Sequence, residues 1–210
     1  CHDGTTALGA LRIAPTGGPV SLSPVTGRAS LGTDLSNDHP TSFLYDESLA
    51  RRRGALAIPS ALPASLPLDS ARQMQCTSCH DPHEQKYRKF LRMDDRRGAL
   101  CLGCHVMSEW RYAAHATSTA TWRGIGSNPW PRSPYTTVSD NGCENCHQPH
   151  AAAHPARLLS QSQERTVCFV CHNGSVASMN LEAEFLKPSA HPVAATNWVH
   201  DPREDPRTML

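Results

Sequence analysis

Apolar positions along this chain do not settle into a sustained period. The longest weakly polar run, Gly54 to Leu68, is broken by Pro59, Pro63 and Pro67 and is too short for a transmembrane segment. The alternation that marks a half-buried strand is nearly absent. Glu84 to Arg97 has no breaker and many helix formers, which predicts a helix with Gly98 as its stop. Leu181 to Leu186 predicts a helical turn or two before Pro188. Prolines at every fourth position over residues 59–67 predict an extended linker. Pro129, Pro131 and Pro134 predict a loop over 124–136. The expected fold is mostly irregular coil with short α-helices and little or no β-sheet.

Composition sharpens this picture. Of 210 residues, 39% are apolar and 6% aromatic, while Pro and Gly together supply 30. That is too little apolar side chain, and too many breakers, for a comfortable core. Either the chain is largely disordered or something other than side chains fills its centre. A formal net charge of +1 leaves no basic footprint for nucleic acid. Nine cysteines and twelve histidines are the outliers.

Eight of those cysteines form four C-x-x-C pairs: Cys76/Cys79, Cys101/Cys104, Cys143/Cys146 and Cys168/Cys171. A histidine follows each pair at once: His80, His105, His147 and His172. Zinc clips, redox dithiols and covalent c-type haem all use C-x-x-C, but only haem attachment calls for the histidine. Two thiols add across the two vinyl groups of one haem, and the next residue projects over the ring as the proximal iron ligand. Haem c is therefore the expected cofactor, four copies from complete motifs. Zinc and disulfides remain as alternatives.

The chain is internally duplicated. Cys76 to Cys101 and Cys143 to Cys168 both span 25 residues, at an offset of 67. Each unit opens with C-x-x-C-H-x-P-H, at 76–83 and 143–150, and closes with a plain C-x-x-C-H. Ala151 to Gln163, with Pro155 early, is the counterpart of the predicted helix in the first unit. Cys1-His2-Asp3-Gly4-Thr5 matches Cys171-His172-Asn173-Gly174-Ser175, so the first residues read as the end of a fifth motif. The alternatives there are a lipid-bearing cysteine or a stray thiol. The fifth-motif reading predicts an opening motif upstream and a parent with six or more haems. Domain boundaries follow: 1–72, a remnant unit with the Pro-rich linker; 73–139, a haem-pair unit; 140–210, a second haem-pair unit with a tail.

Seven further histidines are candidates for the second axial position. His83 and His150 lie three residues past a proximal histidine and cannot reach the other face of the same ring. Each should serve a different haem and force two haems together. His39 and His191 each precede a proline and follow a C-H-[DN]-G-[ST] segment, and His115 follows Trp110. His39, His83, His115, His150 and His191 are the expected distal ligands. His154 and His200 read as solvated side chains or ligands for a neighbouring chain. The five methionines read as packing rather than ligation. Arginine outnumbers lysine 17 to 3, which suits pairing with haem propionates. The run Arg51–Arg53 reads as solvent-facing.

These residues resemble the multihaem c-type cytochromes with doubled C-x-x-C-H motifs. The units at 76–105 and 143–172 carry the likeness, and Leu31 to Pro40 and Trp110 to His115 look like that family's distal-histidine segments. The resemblance implies bis-histidine haems in close contact, with the chain wrapped around them. It implies electron transport between redox partner proteins, and export from the cytoplasm to the cell surface, the extracellular space or, as second choice, the periplasm. Some relatives form extracellular cytochrome filaments, which makes a homo-oligomer the expected partner state. High haem density and a scarce core favour such an extended assembly over a discrete carrier. A reductase of a small oxyanion is the rival class. It needs one open iron site with acid–base groups beside it, and no C-x-x-C-Lys variant points to one.

Overall fold

The computed structural model describes residues 30–189. Most of that span is coil, carrying seven short α-helices and one two-stranded antiparallel sheet. The strands are β1 (Phe43–Leu44) and β2 (Gln73–Met74), with Phe43 opposite Met74. The helices are α1 (Glu47–Arg53), α2 (Cys76–Cys79), α3 (Ala99–Leu102), α4 (Ala114–Thr117), α5 (Val138–Asn141), α6 (Glu164–Phe169) and α7 (Leu181–Phe185). No helix among the described residues is long and apolar enough to cross a membrane.

α1 forms because both of its ends are satisfied. Asp46 accepts from the Leu49 amide at 2.7 Å, and Gly54 closes the helix at φ +67°. Arg51–Arg53 sit exposed in its last turn, where cations complement the helix dipole. α7 matches the helical turn expected before Pro188, capped by Asn180.

The predicted helix over Glu84–Arg97 does not form. The chain makes two 3₁₀ turns there, Arg88–Phe90 and Arg96–Gly98, with Lys89, Phe90 and Arg97 in the left-handed region. Tertiary bonding overrides local propensity: the Asp81 amide donates to the Phe90 carbonyl at 2.7 Å and Arg92 to that of Cys79 at 2.9 Å. The segment turns back and straps the first opening motif. Residues 151–163 repeat the device. Gln148 donates to the Leu158 carbonyl at 2.7 Å and Ser160 to that of Cys146 at 2.8 Å. Arg157 and Leu158 again have positive φ.

Nor are residues 59–67 a free extended spacer. Pro59–Ala61 makes a 3₁₀ turn and Leu66 is buried beside Gly103. Just before them, Ala57 donates to Cys104 and Val106 to Ala55, so this stretch straps the first closing motif. The loop over 124–136 is irregular as expected, yet it inserts Trp130 into a small apolar cluster with Val138 and Val176. Such clusters are few, and Leu44, Ile58, Phe90, Val106, Tyr112 and Ile125 are exposed.

The two units meet at a close backbone crossing. Gly98 and Gly142 both have positive φ, and a Cβ on Gly142 would stand 2.6 Å from the Gly98 nitrogen. Around it, Arg88 pairs with Asp95 and Glu144, while Arg96 and Arg97 share Asp140. Tyr135 donates to Asp94 and Asp95. These arginines, and Arg92 with Asp81, are engaged by carboxylates of the chain itself.

Candidate functional site

Each complete C-x-x-C-H motif closes as one helical turn. The histidine amide donates to the carbonyl of the first cysteine at 3.0 Å for His80 and 2.9 Å for His105, His147 and His172. Both sulfurs of a motif therefore leave one turn, with the imidazole following directly. The eight described cysteines are free thiols; Cys76, Cys146 and Cys168 are exposed and the others half-buried. Burial pushes the Cys104 and Cys171 thiols up to about 11. Among the described residues, no three Cys, His, Asp or Glu side chains converge on one point.

The histidines converge in twos instead. Ring centroids lie 6.3 Å apart for His39 and His105, and 6.1 Å apart both for His80 and His150 and for His115 and His172. Two imidazoles bonded to one metal from opposite sides, at about 2.0–2.1 Å each, hold their centroids roughly 6.3 Å apart. The residues present thus fit an iron with two histidine ligands, at three places. The planes cross at 86° and 83° in the pairs containing His105 and His172, against 38° for His80 and His150.

Hydrogen bonds fix which ring nitrogen is available. Nδ1 lies 2.9 Å from the Lys89 carbonyl in His80, 2.7 Å from that of Arg157 in His147 and 3.0 Å from that of Pro40 in His39. A carbonyl only accepts, so Nδ1 carries the proton and Nε2 presents its lone pair. The left-handed turns at Lys89 and Arg157 place those carbonyls, which accounts for the straps. Burial lowers the pKa of His39, His105 and His172, favouring the neutral, ligating form.

His150 differs. Its Nδ1 meets the carboxylate of Asp38 at 3.0 Å, and the Ala151 amide donates to the same oxygen. Asp38 is 4% exposed, so this is a buried anion held against an imidazole. The His39 amide also donates to the Pro149 carbonyl at 2.8 Å, and Ala152 to that of Asn37. Residues 37–39 and 149–152 therefore present His39 and His150 side by side, each toward a different motif.

Sulfurs of different motifs come near one another. The thiols of Cys101 and Cys143 are hydrogen-bonded to one another, which raises the first and lowers the second to about 7. Cys79 lies within electrostatic reach of Cys104, and Cys146 of Cys171.

Of the residues expected from sequence, His39, His80, His105, His115, His150 and His172 come together in facing pairs. His115 does so from the short helix α4. His83 is exposed and His154 is half-buried with Nδ1 3.3 Å from the Ala156 carbonyl. Among the described residues, neither these two nor His147 has a histidine ring facing it in this way. Cys1, His2, His191 and His200 lie outside the described residues. Asp38 and the carbonyls of Lys89 and Arg157 were not foreseeable: the chemistry there comes from chain reversals, with no motif to announce them.

Residues 69–108 and 136–177 match the family defined by the doubled CXXCH motif. The doubled motif thus occurs twice in this chain. The match supports a multihaem c-type cytochrome, and its motifs indicate covalent haem c binding and a role in electron transfer. No curated protein matches this chain.

Proposed function

We propose that this chain carries electrons through closely spaced bis-histidine c-type haems. The three histidine pairs facing at one spacing carry that reading. Cys76 and Cys79 would hold one haem between His80 and His150, Cys101 and Cys104 a second between His105 and His39, and Cys168 and Cys171 a third between His172 and His115. Cys143, Cys146 and His147 would hold a fourth, and the motif ending in Cys1 and His2 a fifth. Haem iron supplies reversible one-electron chemistry when bound. The chain's residues do the rest. They fix each imidazole's tautomer, keep exchangeable ligands off the iron, and set the spacing between sites. The coil wraps the haems, which replace the missing apolar core.

Attachment of this kind takes place outside the cytoplasm, so the protein is exported, to the cell surface or the extracellular space, with the periplasm as second choice. A filament subunit fits a chain with little core and with histidines left at its surface; a discrete multihaem carrier is the runner-up. A reductase would need an open iron site, and His147 marks the place for one.

Mass spectrometry of the mature protein and carbon monoxide titration of its reduced form test the reading. The mass should exceed that of the chain by four or five haems. His39→Ala, His115→Ala and His150→Ala should each create one additional carbon monoxide-binding haem. Unchanged carbon monoxide binding in all three variants overturns the pairing.

A further inference from the structure

The place between His80 and His150 differs from the other two facing pairs in both features that a chain can impose on an axial ligand. Its rings cross at 38°, against 86° for His39 and His105 and 83° for His115 and His172. The Nδ1 of His150 meets a carboxylate, whereas the Nδ1 of His39, one residue along from Asp38, meets the Pro40 carbonyl at 3.0 Å. Asp38 is built into the fold for this contact. Its amide donates to the Leu35 carbonyl at 3.1 Å, and its Oδ1 accepts from His150 at 3.0 Å and from the Ala151 amide at 3.2 Å. Its Oδ2 is buried and has no hydrogen-bond partner among the described residues.

Both features bias an iron there in one direction. A carboxylate on Nδ1 makes the imidazole richer in electrons, which favours the ferric over the ferrous state. The buried negative charge does the same, and acts more strongly in the interior than it would in water. Ring orientation adds to this. Each imidazole π system raises one d orbital of the metal. Rings close to parallel raise the same orbital, which stabilises the oxidised state. Rings close to perpendicular raise two orbitals alike and forgo that stabilisation. Residues 37–39 thus present two ligands of opposite character, His150 held through the Asp38 side chain and His39 carried on the chain itself.

We propose that Asp38 is a positioning residue for electron transfer: by orienting and charging His150, it makes the His80–His150 site the lowest in potential of the three paired sites. This rests on reading the facing pairs as axial ligands. Asp38 acts through His150 and touches no reacting atom. The two sites of the first unit then differ in a fixed sense, with an electron held less tightly at His80 than at His105. Repeated motifs alone would give equal sites and no direction. A single carboxylate outside both motifs supplies one.

The test is a redox titration of the haem-loaded 210-residue chain, followed by electron paramagnetic resonance. Ferric iron between near-parallel rings gives a rhombic three-line spectrum, and between near-perpendicular rings a single steep low-field line. The rhombic signal of the His80 site should be the last of the three paired signals to disappear on reduction. His150→Ala assigns it, since that variant should open one carbon monoxide-binding haem and remove the rhombic signal. His39→Ala and His115→Ala assign the other two in the same way. Asp38→Asn keeps an acceptor for Nδ1 but not the charge, so the rhombic shape should persist at a raised potential. Asp38→Leu removes the acceptor too, and the shape should move toward the steep line. The signals of the two closing sites should stay where they are, which a general loosening of the fold would not allow. If the signal assigned by His150→Ala is steep, is reduced before those of the closing sites, or keeps its potential in Asp38→Asn, the inference is overturned and the pairing stands. If His150→Ala opens no haem, the pairing itself fails and takes the inference with it.

Discussion

Opening and closing motifs share a sequence and a helical turn, yet the chain treats them differently. At the opening motifs, a loop with two left-handed residues returns to place a carbonyl on the proximal Nδ1, as Lys89 does for His80 and Arg157 for His147. The histidine facing His80 is backed by a buried carboxylate. At the closing motifs, the facing rings cross near 90° and come from the preceding segment. One motif therefore yields two environments, and the difference comes from the chain outside it. In a chain of chemically identical cofactors, ligand orientation and the partner of each Nδ1 are the means left for making sites unequal.

The largest effect should come from removing Asp38's partner. His150→Ala takes away the imidazole facing His80 and strips a buried carboxylate of one of its two hydrogen-bond donors. It should create a carbon monoxide-binding haem and also lower stability, by about 1–3 kcal/mol. His39→Ala should open a closing site in the same way without that buried-charge penalty. Equal losses of stability in the two variants would erase the proposed distinction.

Next in size is Gly142→Ala. The added methyl would meet backbone at 2.6–2.7 Å, at a residue with φ +49°. A loss of at least about 2 kcal/mol in denaturant unfolding is expected. The same change at Gly124, also of positive φ but with open space around its Cβ, should cost less. This pair shows whether the junction between a closing and an opening motif is tight.

A subtler effect should follow Asp38→Asn. A carboxylate on Nδ1 enriches the imidazole and favours the oxidised iron, so its removal should raise one potential and leave the others in place. Potentiometry followed by electron paramagnetic resonance reads this directly. A uniform shift of all haems would sink it.

The smallest effect concerns acid. Arg96 foremost, then Arg97 and Thr137, hold the Asp140 carboxyl down at about 2, below its ordinary 3.8. A depressed carboxyl stabilises the fold fully above 3.8, and that contribution fades as pH falls from there toward 2. Asp140→Asn should flatten this part of a stability–pH curve measured between pH 5 and 2.

The motifs themselves were legible because covalent chemistry is written locally: two thiols and an imidazole must follow one another. The pairing was legible only in part. That His150 could not serve its own haem follows from three residues of spacing; that it faces His80 depends on how 37–39 dock against 149–152. The helix expected over Glu84–Arg97 failed for the same reason. Local propensity favours it, but Asp81, Cys79 and the His80 ring each draw the segment back into a strap. Where a chain has little apolar surface to organise it, hydrogen bonds to the site decide the path, and those leave no period in the sequence.

The scarcity of buried apolar side chains has a consequence for how such a molecule matures. A domain stapled by zinc unfolds when a chelator removes the ion, because its bonds exchange. Here the proposed staples are carbon–sulfur bonds, which do not. The bare polypeptide should be an open protease substrate, whereas the finished one should withstand chelators. Ligation should then precede folding, which makes cofactor attachment the step that decides which chains survive.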